Sequence, residues 1–537
     1  MAEKIISIAI ACNHPGQQVG GLNKRDESVG FMGQYTPVIR NMVVEPTRVR
    51  KRRGYSQVGR ASLPLSGNGT GLFEYVDATG TRHLIAMTTT GAYKYDASAG
   101  TWADVSPVAA FTGDIDNRFH GSVVTDTTTF ATNGGSALVV TNNNDDLHYF
   151  EGDTGDVFTK LVHGYPSFGN CVDVSEFWNH LILLRVTTSS TNNRLLAWAD
   201  LGDVTEWAAG TSGATTLTDS LGSLKRAVKL GQALVMYSDS SISLCNYIGS
   251  STLYSIPTLV YETGLLCSDG VWGSYNYHCF IGSDLRIYRY YGGTQLDHIG
   301  GPVESSLFSE LNYNLKERIC AMYDPIRYKL YFCFPRSTDT YSYAAYAIST
   351  DLDGWPWEYH EFADSVCASS VMHATSTVYC DDATWGEYYC DLVTAYCDDP
   401  FGQSDAPVCV FLSHDGYVFM LDERTGYDDA TAIECEYQTE DITVDAEESY
   451  GRFTWMSFVA MSSTAGTVDV SYSTDGGGSW TNFVDSPVQL TTSWDTYKIP
   501  FDASARRVRF RFSQVTADDL QLRVAVNIAV APTTGRD

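Results

Sequence analysis

With 537 residues the chain is too long for a single hydrophobic core, so two or three domains are expected. Hydrophobic residues at 44% and aromatic residues at 13% exclude a disordered chain, and sparse Lys and Glu beside abundant Gly, Thr, Ser, Tyr and Val favour strands over helices. The formal net charge is −29 but it is unevenly distributed, which favours subunit contacts through complementary charge. No apolar run approaches the roughly 20 residues of a membrane-spanning helix, so no membrane partner is expected.

The N-terminal region, residues 1–65, is predicted to hold a first strand and an extended basic arm. The apolar run 5–12 favours a strand, with a secretory signal as the alternative. Five of the six residues at 48–53 are basic. Three interpretations of this run stay open: contact with a neighbouring subunit, proximity to DNA, and pairing with the chain's own acidic surface. The candidate side chains for assembly or DNA proximity are Arg48, Arg50, Lys51, Arg52 and Arg53.

Residues 66–430 are predicted to form a β-propeller. Segment 71–106 contains four short runs of alternating polar and apolar residues, separated by turns rich in Gly, Asp and Thr. Four strands with tight turns in one such segment match a propeller blade. Similar units recur every 40–60 residues or so and predict about six blades. The further units lie at 138–161, 171–207, 227–249, 271–300 and 319–337.

Two segments of the propeller region depart from this pattern. Apolar residues at helical spacing predict one helix at 306–319, as a connector between blades. An acidic insertion is predicted at 376–405, where clustered carboxylates leave open a Ca²⁺ site or a solvated acidic loop. The candidate ligands are Asp381, Asp382, Glu387 and Asp391.

The thirteen cysteines are odd in number and contain no C-x-x-C pair, which favours buried free thiols in a reducing cytoplasm. The alternative is a zinc site in the densest group. That group is Cys380, Cys390, Cys397 and Cys409.

Residues 431–537 are predicted to form an antiparallel β-sandwich, since five or more alternating runs follow one another there. Ser473, Asp475, Gly477 and Trp480 fit the Asp-box, in which an Asp caps the amides of a hairpin turn and Gly adopts an otherwise strained conformation. The same motif occurs in sialidases, where it is structural. We therefore interpret it here as a structural turn.

Several phrases resemble structural proteins of bacteriophage tails and necks that contain a β-propeller, known as nozzle, tail hub or stabilisation proteins. They are YTPVIRNMVVEPTRVRKRRGYSQV at 35–58, FIGSDLRIYRYYGGTQLDHIGGPVESSLF at 280–308, and VDVSYSTDGGGSW at 468–480. The resemblance implies a virion protein assembled in the bacterial cytoplasm. Its partners would be identical subunits in a ring, six by expectation, a portal or adaptor, other tail proteins, and tail fibres.

This interpretation expects no enzyme, no catalytic residue, no metal and no cofactor. One alternative is a receptor-binding or glycan-binding virion module, for which Tyr288, Tyr290 and Tyr291 could stack on sugars, although such residues more often fill the space between blades. Another is a glycoside hydrolase using paired carboxylates, either Asp381 with Asp382 or Asp428 with Asp429. If the basic run is an assembly element, alanine at 50–53 is expected to leave the chain folded but abolish ring formation.

Overall fold

The structure is a computed structural model, and its regular elements are almost all strands. Among the described residues, no helix is both long and apolar enough to cross a bilayer. The structure describes residues 4–9, 21–26, 35–130, 133–153, 155–188, 192–249, 252–352, 354–374, 406–422, 424–444 and 449–531.

Six blades are built from consecutive antiparallel strands, and the second strand of each blade is buried along nearly its whole length because both of its faces pack against neighbouring blades. Blade 1 comprises Gly69–Val76, Arg82–Thr88, Ala92–Asp96 and Thr101–Asp104; blade 2, His120–Thr125, Ser136–Thr141, His148–Phe150 and Thr159–Lys160; and blade 3, Asp173–Phe177, His180–Leu184, Leu195–Trp198 and Gly213–Thr216. Blade 4 comprises Leu224–Leu230, Ala233–Ser238, Ser241–Tyr247 and Tyr254–Ser255, with Thr258–Tyr261 beside its third strand. Blade 5 comprises Val271–Gly273, His278–Ile281, Ile287–Tyr290 and Leu296–His298; and blade 6, Cys320–Asp324, Lys329–Phe334, Ala344–Ser349 and Trp357–Glu361.

A composite sheet, the closing blade, completes the ring. Three of its strands follow blade 6, and the fourth, Gly54–Gln57, comes from before blade 1 and pairs antiparallel with Val418–Asp422. The three strands that follow blade 6 are Ala368–Ala374, Ala406–Leu412 and Val418–Asp422, and the short pair Tyr427–Asp428 and Thr431–Ala432 extends the sheet beyond Gly54–Gln57. The predicted propeller of about six blades is therefore confirmed, with the closing blade added to six blades of consecutive strands.

The first strand of each blade lies next to the axis and contacts the first strands of both neighbouring blades, including across the closure. Hydrophobic clusters fill the spaces between adjacent blades. Because all first strands run the same way, the first and third turns of every blade lie on one face, the hairpin face, which carries turn 178–179 of blade 3. The segments that lead into the first strands, such as 313–319, lie on the opposite face, the connector face.

The sandwich packs two sheets around one core of aliphatic and aromatic side chains, among them Phe453, Phe510 and Ile528. One sheet contains Asp495–Ala505, Gly451–Met461, Gln521–Ala531, Arg48–Lys51 and Met42–Glu45, with Lys4–Ala9 beside Gln521–Ala531. The other contains Val38–Arg40, Cys435–Gln438, Arg507–Gln514, Thr467–Ser473 and Thr481–Asn482, with Ile442–Thr443 and Val488–Gln489 at its margins.

The second sandwich sheet continues into the propeller. Val38–Arg40 pairs in parallel with Trp357–Glu361, the last strand of blade 6, so one hydrogen-bonded sheet runs through both units. The short strands Gly21–Leu22 and Tyr35–Thr36 lie beside the same edge. Residues 35–57, predicted as part of a separate N-terminal region, therefore divide between the sandwich and the closing blade.

The few helical segments are short. The predicted helix at 306–319 is found as the α-helix Glu304–Glu310 followed by the 3₁₀ helix Tyr313–Arg318, and it connects blades 5 and 6 as expected. Further 3₁₀ turns are Arg60–Ser62 and Asn133–Gly135.

Candidate functional site

The basic run at 48–53 begins as a strand of the sandwich that pairs with two neighbouring strands. Val49 lies fully buried in the sandwich core. Alternation along the strand directs Arg48 and Arg50 to the opposite side, where both form ion pairs with Glu45. The two most N-terminal arginines of the run therefore share one carboxylate of the same chain.

The next two basic residues are buried. Lys51 donates to the carbonyl oxygen of Thr516, and burial lowers the pKa of its ammonium group. Arg52 donates two hydrogen bonds to the carboxylate of Asp428, at 2.7 and 2.6 Å, and a third to the carbonyl oxygen of Glu361 at 2.5 Å. Burial alone would lower the pKa of Arg52, but the adjacent Asp428 raises it above its ordinary value.

Arg53 completes the run with an ion pair to Asp519 at 3.2 Å. All five basic residues thus have intramolecular partners, and the expected extended arm is corrected: the run is a strand and its continuation inside the fold. These contacts lead us to expect instead that alanine at 50–53 destabilises the fold. Removal of Arg52 would leave the charge of Asp428 buried without a partner.

The Asp-box forms a hydrogen-bonded turn in the sandwich. The Ser473 hydroxyl donates to Asp475 Oδ1 at 2.6 Å, the Gly477 N–H donates to Ser473 Oγ at 2.8 Å, and the Ser479 N–H donates to Asp475 Oδ1 at 2.9 Å. Gly477 has φ = 96°, and Trp480 lies half-buried beside it. Hydrogen bonds from Ser473 and Ser479 hold the pKa of Asp475 well below its ordinary value. These contacts are those of a structural turn.

The carboxylate pair Asp428 and Asp429 does not form an acid–base site. Asp428 is bound by Arg52, whereas Asp429 forms an ion pair with Arg60. Nine cysteines, including Cys409, fall in the described part of the chain, where all are buried and free of disulfides. That part contains no cluster of His, Cys, Asp or Glu suited to a metal ion. The other candidates lie outside the described residues: Asp381, Asp382, Glu387, Asp391, Cys380, Cys390 and Cys397.

A charged cluster lies at the propeller axis on the connector face, with Arg118 and His120 buried and Asp269 partly exposed. Arg118 and His120 contact the carboxylate of Asp269, each at 3.2 Å. Burial alone would raise the pKa of Asp269, but the hydrogen bond with His120 and the charge of Arg118 hold it well below its ordinary value. His120 Nδ1 also lies 2.9 Å from the carbonyl oxygen of Val172, so both ring nitrogens are engaged. The cluster ties blades 2, 3 and 5 together.

The charged cluster was missed by the sequence reasoning. Arg118 and His120 flank the start of the first strand of blade 2, and Asp269 lies just before that of blade 5. The sequence does show charged residues at or just before the first strands of two blades. Such positions lie near the axis, because the first strand of each blade lies next to it. Their pairing depends on a fold that brings together residues about 150 positions apart.

An aromatic cluster lies on the hairpin face of blades 5 and 6. The ring of Tyr277 is 5.8 Å from that of Trp272, 6.1 Å from that of Tyr291 and 5.6 Å from that of Trp355, measured between centroids. Trp272 stacks on Tyr323 at 4.2 Å. Tyr291 is 56% exposed and the other four are half-buried, so the cluster is open to solvent. Trp272 and Tyr323 also line an axial cavity of about 320 Å³.

One cation lies among these rings. The guanidinium of Arg289 is 4.3 Å from the ring centroid of Trp355 and 5.2 Å from that of Tyr291, and it forms an ion pair with Asp297. The charge of the arginine is therefore balanced locally. Of the three tyrosines considered from the sequence, Tyr288 and Tyr290 are buried between blades, and Tyr291 alone belongs to the exposed cluster.

Comparison with known proteins adds no family assignment. No protein-family model and no curated protein matches the sequence. Solved structures that resemble the fold include the WD40 β-propeller domain of Doa1, at 10% identity over 69% of this chain and 97% of that chain, with a TM-score of 0.36. Saccharomyces cerevisiae Sqt1 matches at 8% identity over 77% and 99%, with a TM-score of 0.39. An exo-β-1,3-galactanase from Phanerochaete chrysosporium matches at 10% identity over 90% and 100%, with a TM-score of 0.25. These likenesses carry no statement about activity.

Proposed function

We propose that this chain is a non-enzymatic structural subunit of a bacteriophage tail or neck, of the nozzle or tail-hub kind. Identical copies form a ring, six by expectation, around the DNA passage next to a portal or adaptor. The subunit assembles in the bacterial cytoplasm and remains in the virion. The observation that carries the proposal is the interlocked construction of the propeller and the sandwich.

The shared strands join the propeller and the sandwich rigidly, as expected for a structural subunit that must resist mechanical force. Residues 35–57 supply strands to the sandwich and then the closing strand to the propeller, so neither unit is complete without this stretch. The shared sheet and the buried pair of Arg52 and Asp428 fix the joint between the units. A hinged receptor or enzyme would gain from a smaller, more polar interface between domains.

The axis of a single propeller does not suit the passage of DNA. The ion pair of Arg118 with Asp269 and the contact of His120 with the same carboxylate cross the connector face at the axis. We therefore place the passage at the centre of a ring of subunits, bounded by their surfaces, as closed head-to-tail symmetry allows.

The net negative charge of the chain is suited to a surface that lines the DNA passage without binding DNA. Each copy has a formal net charge of −29, and the basic run that could have bound phosphates is paired internally. Binding to DNA depends on neutralising phosphates with Lys and Arg. A ring of acidic subunits would let DNA slide without capturing it.

Native mass spectrometry of the purified chain tests this proposal, with and without crude host polysaccharide. We expect a discrete closed oligomer, or a monomer that joins only isolated tail particles, and no shortening of the polysaccharide. The same sample is imaged by electron microscopy to determine whether the oligomer is a ring.

A matched variant separates specific assembly from association through the open apolar surface. Tyr291→Ala removes the most exposed ring of the aromatic cluster and is expected to leave the oligomer intact. A stable monomer that neither joins tail particles nor forms rings would contradict the proposal. Release of sugar fragments would instead favour a hydrolase.

A further inference from the structure

We propose that the aromatic cluster of blades 5 and 6, formed by Trp272, Tyr277, Tyr291, Tyr323 and Trp355, binds an uncharged oligosaccharide. The apolar C–H face of a pyranose packs against an aromatic ring, and its hydroxyl groups require polar partners at the margin. The inference does not depend on the structural role proposed above, because a ring subunit and a monomer could both present this face.

Backbone strain is the first line of evidence. Trp355 has φ = 48° and Tyr328, in the neighbouring turn of blade 6, has φ = 52°. Bulky residues rarely adopt this left-handed conformation, and Gly or Asn would occupy it at lower cost. At Trp355 the strained turn holds a ring against Tyr277 and Arg289, so the strain at this position places a ring of the cluster.

The local charge indicates an uncharged ligand. Arg289 is balanced by Asp297 and covered by the rings of Trp355 and Tyr291, so the cluster presents no unpaired cation among the described residues. The whole chain has a net charge of −29 and repels polyanions such as nucleic acid or sulfated sugars. An uncharged sugar chain needs no cation for binding and is not repelled by the negative charge of the protein.

The geometry provides a row of angled rings, whose neighbouring planes are inclined at 59° and 64°, and an adjoining recess. The rings of Tyr291, Tyr277 and Trp272 form a row from the margin of blade 5 toward the axis, with successive centroids 6.1 and 5.8 Å apart. The axial cavity begins where Trp272 stacks on Tyr323, and Ser369 and Ser370 also line it. A sugar unit packs against an exposed ring of this row, and an adjoining unit reaches the polar side chains of the cavity.

Titration of the full-length chain with neutral oligosaccharides tests the proposal, using maltoheptaose, cellohexaose and chitohexaose, with heparin as a polyanionic probe. Tryptophan fluorescence and calorimetry report binding. We expect at least one neutral probe to bind with a dissociation constant of about 1 mM or tighter and heparin not to bind. Tyr291→Ala and Trp355→Gly are expected to weaken that binding about tenfold or more, whereas Tyr291→Phe, which keeps the ring, retains it.

Two control variants are matched to these. Tyr313→Ala removes a ring that is 51% exposed on the connector face, and Trp178→Gly relieves a similarly strained turn in blade 3, at φ = 53°. Both should leave sugar binding unchanged, and thermal melting of every variant confirms folding. The proposal is overturned if no neutral probe binds or if binding survives loss of both Tyr291 and Trp355. It is also overturned if Tyr291→Ala breaks up an oligomer, because the face would then be a contact between copies.

Discussion

The residue with the largest consequence for the joint between the two units is Arg52. Its guanidinium contacts Asp428 of the closing blade and the carbonyl oxygen of Glu361 in blade 6, and it lies 4.9 Å from the ring centroid of Phe362. The side chains of Arg52 and Asp428 are 5% and 4% exposed. A fully desolvated, bidentate pair of this kind is costly to break from one side.

We predict that Arg52→Ala lowers the free energy of unfolding by about 3–5 kcal/mol, because it leaves the carboxylate of Asp428 buried without its partner. Chemical denaturation followed by circular dichroism measures the change. Arg48→Ala is the matched control from the same run: Arg48 is 36% exposed, so its loss should cost less than about 1 kcal/mol. Equal effects of the two substitutions would contradict the buried pair.

The burial of the basic residues at 48–53 could not be predicted from the sequence. Five basic residues in six positions indicated a solvent-exposed arm, and only the buried Val49 between Arg48 and Arg50 hinted at a strand. The burial of Lys51 and Arg52 depends on Thr516 and Asp428, which lie more than 370 positions away in the chain. Composition alone does not report such distant partners.

Among the elements, the closing strand Gly54–Gln57 decides whether the propeller is a ring. It pairs antiparallel with Val418–Asp422 and in parallel with Asp428, and both contacts bring together distant parts of the chain. Gly54 lies directly against the backbone of Tyr427, where no side chain fits. The strand is thus held on both sides and admits little change at its first residue.

We predict that Gly54→Ala destabilises the protein by about 3 kcal/mol or more, since a methyl group there overlaps the carbonyl of Tyr427 and must push the closing strand from its neighbour. Gly293→Ala is the control, because a methyl group at that glycine meets no atom within 4 Å. It should change stability by less than about 0.5 kcal/mol. Thermal melting compares the two, and similar melting temperatures would argue against this closure.

Six blades could be predicted from the sequence because their strands are consecutive and their turns are short. Segment 71–106 shows this, since the predicted runs and turns correspond to the strands of blade 1. The closing strand could not be predicted in the same way. Its four residues, GYSQ, have no hairpin partner nearby, and their true partner follows only after blade 6.

At the scale of the whole molecule, propeller and sandwich share their N-terminal strands. The stretch 38–51 completes the sandwich and the next strand completes the propeller. We predict a single calorimetric unfolding transition, because loss of either unit frees strands that the other requires. Two separated transitions, each matching a different set of exchanging amides, would show that the units are independent.

The candidate sites were only partly predictable at this scale. The Asp-box could be recognised in the sequence because the hydrogen bonds of its turn lie within seven residues, Ser473 to Ser479. The aromatic cluster was not predicted as a unit: its rings come from two strands and three turns of two blades, and in the sequence Tyr291 is indistinguishable from the buried Tyr290. The packing of blade 5 against blade 6 brings these side chains together, and local sequence patterns do not predict that packing.

The closing strand also sets the order of events during synthesis. Gln57 leaves the ribosome more than 350 residues before Asp422, the last residue of its partner strand. At about 5–20 residues per second, the nascent chain exposes this unpaired strand for roughly 20 to 70 s. During that time blades 1 to 6 can fold one after another, but the ring stays open and its terminal edges can pair with other chains. The propeller can therefore close only when about four-fifths of the chain has been made, and chaperone protection of those edges matters most before that point.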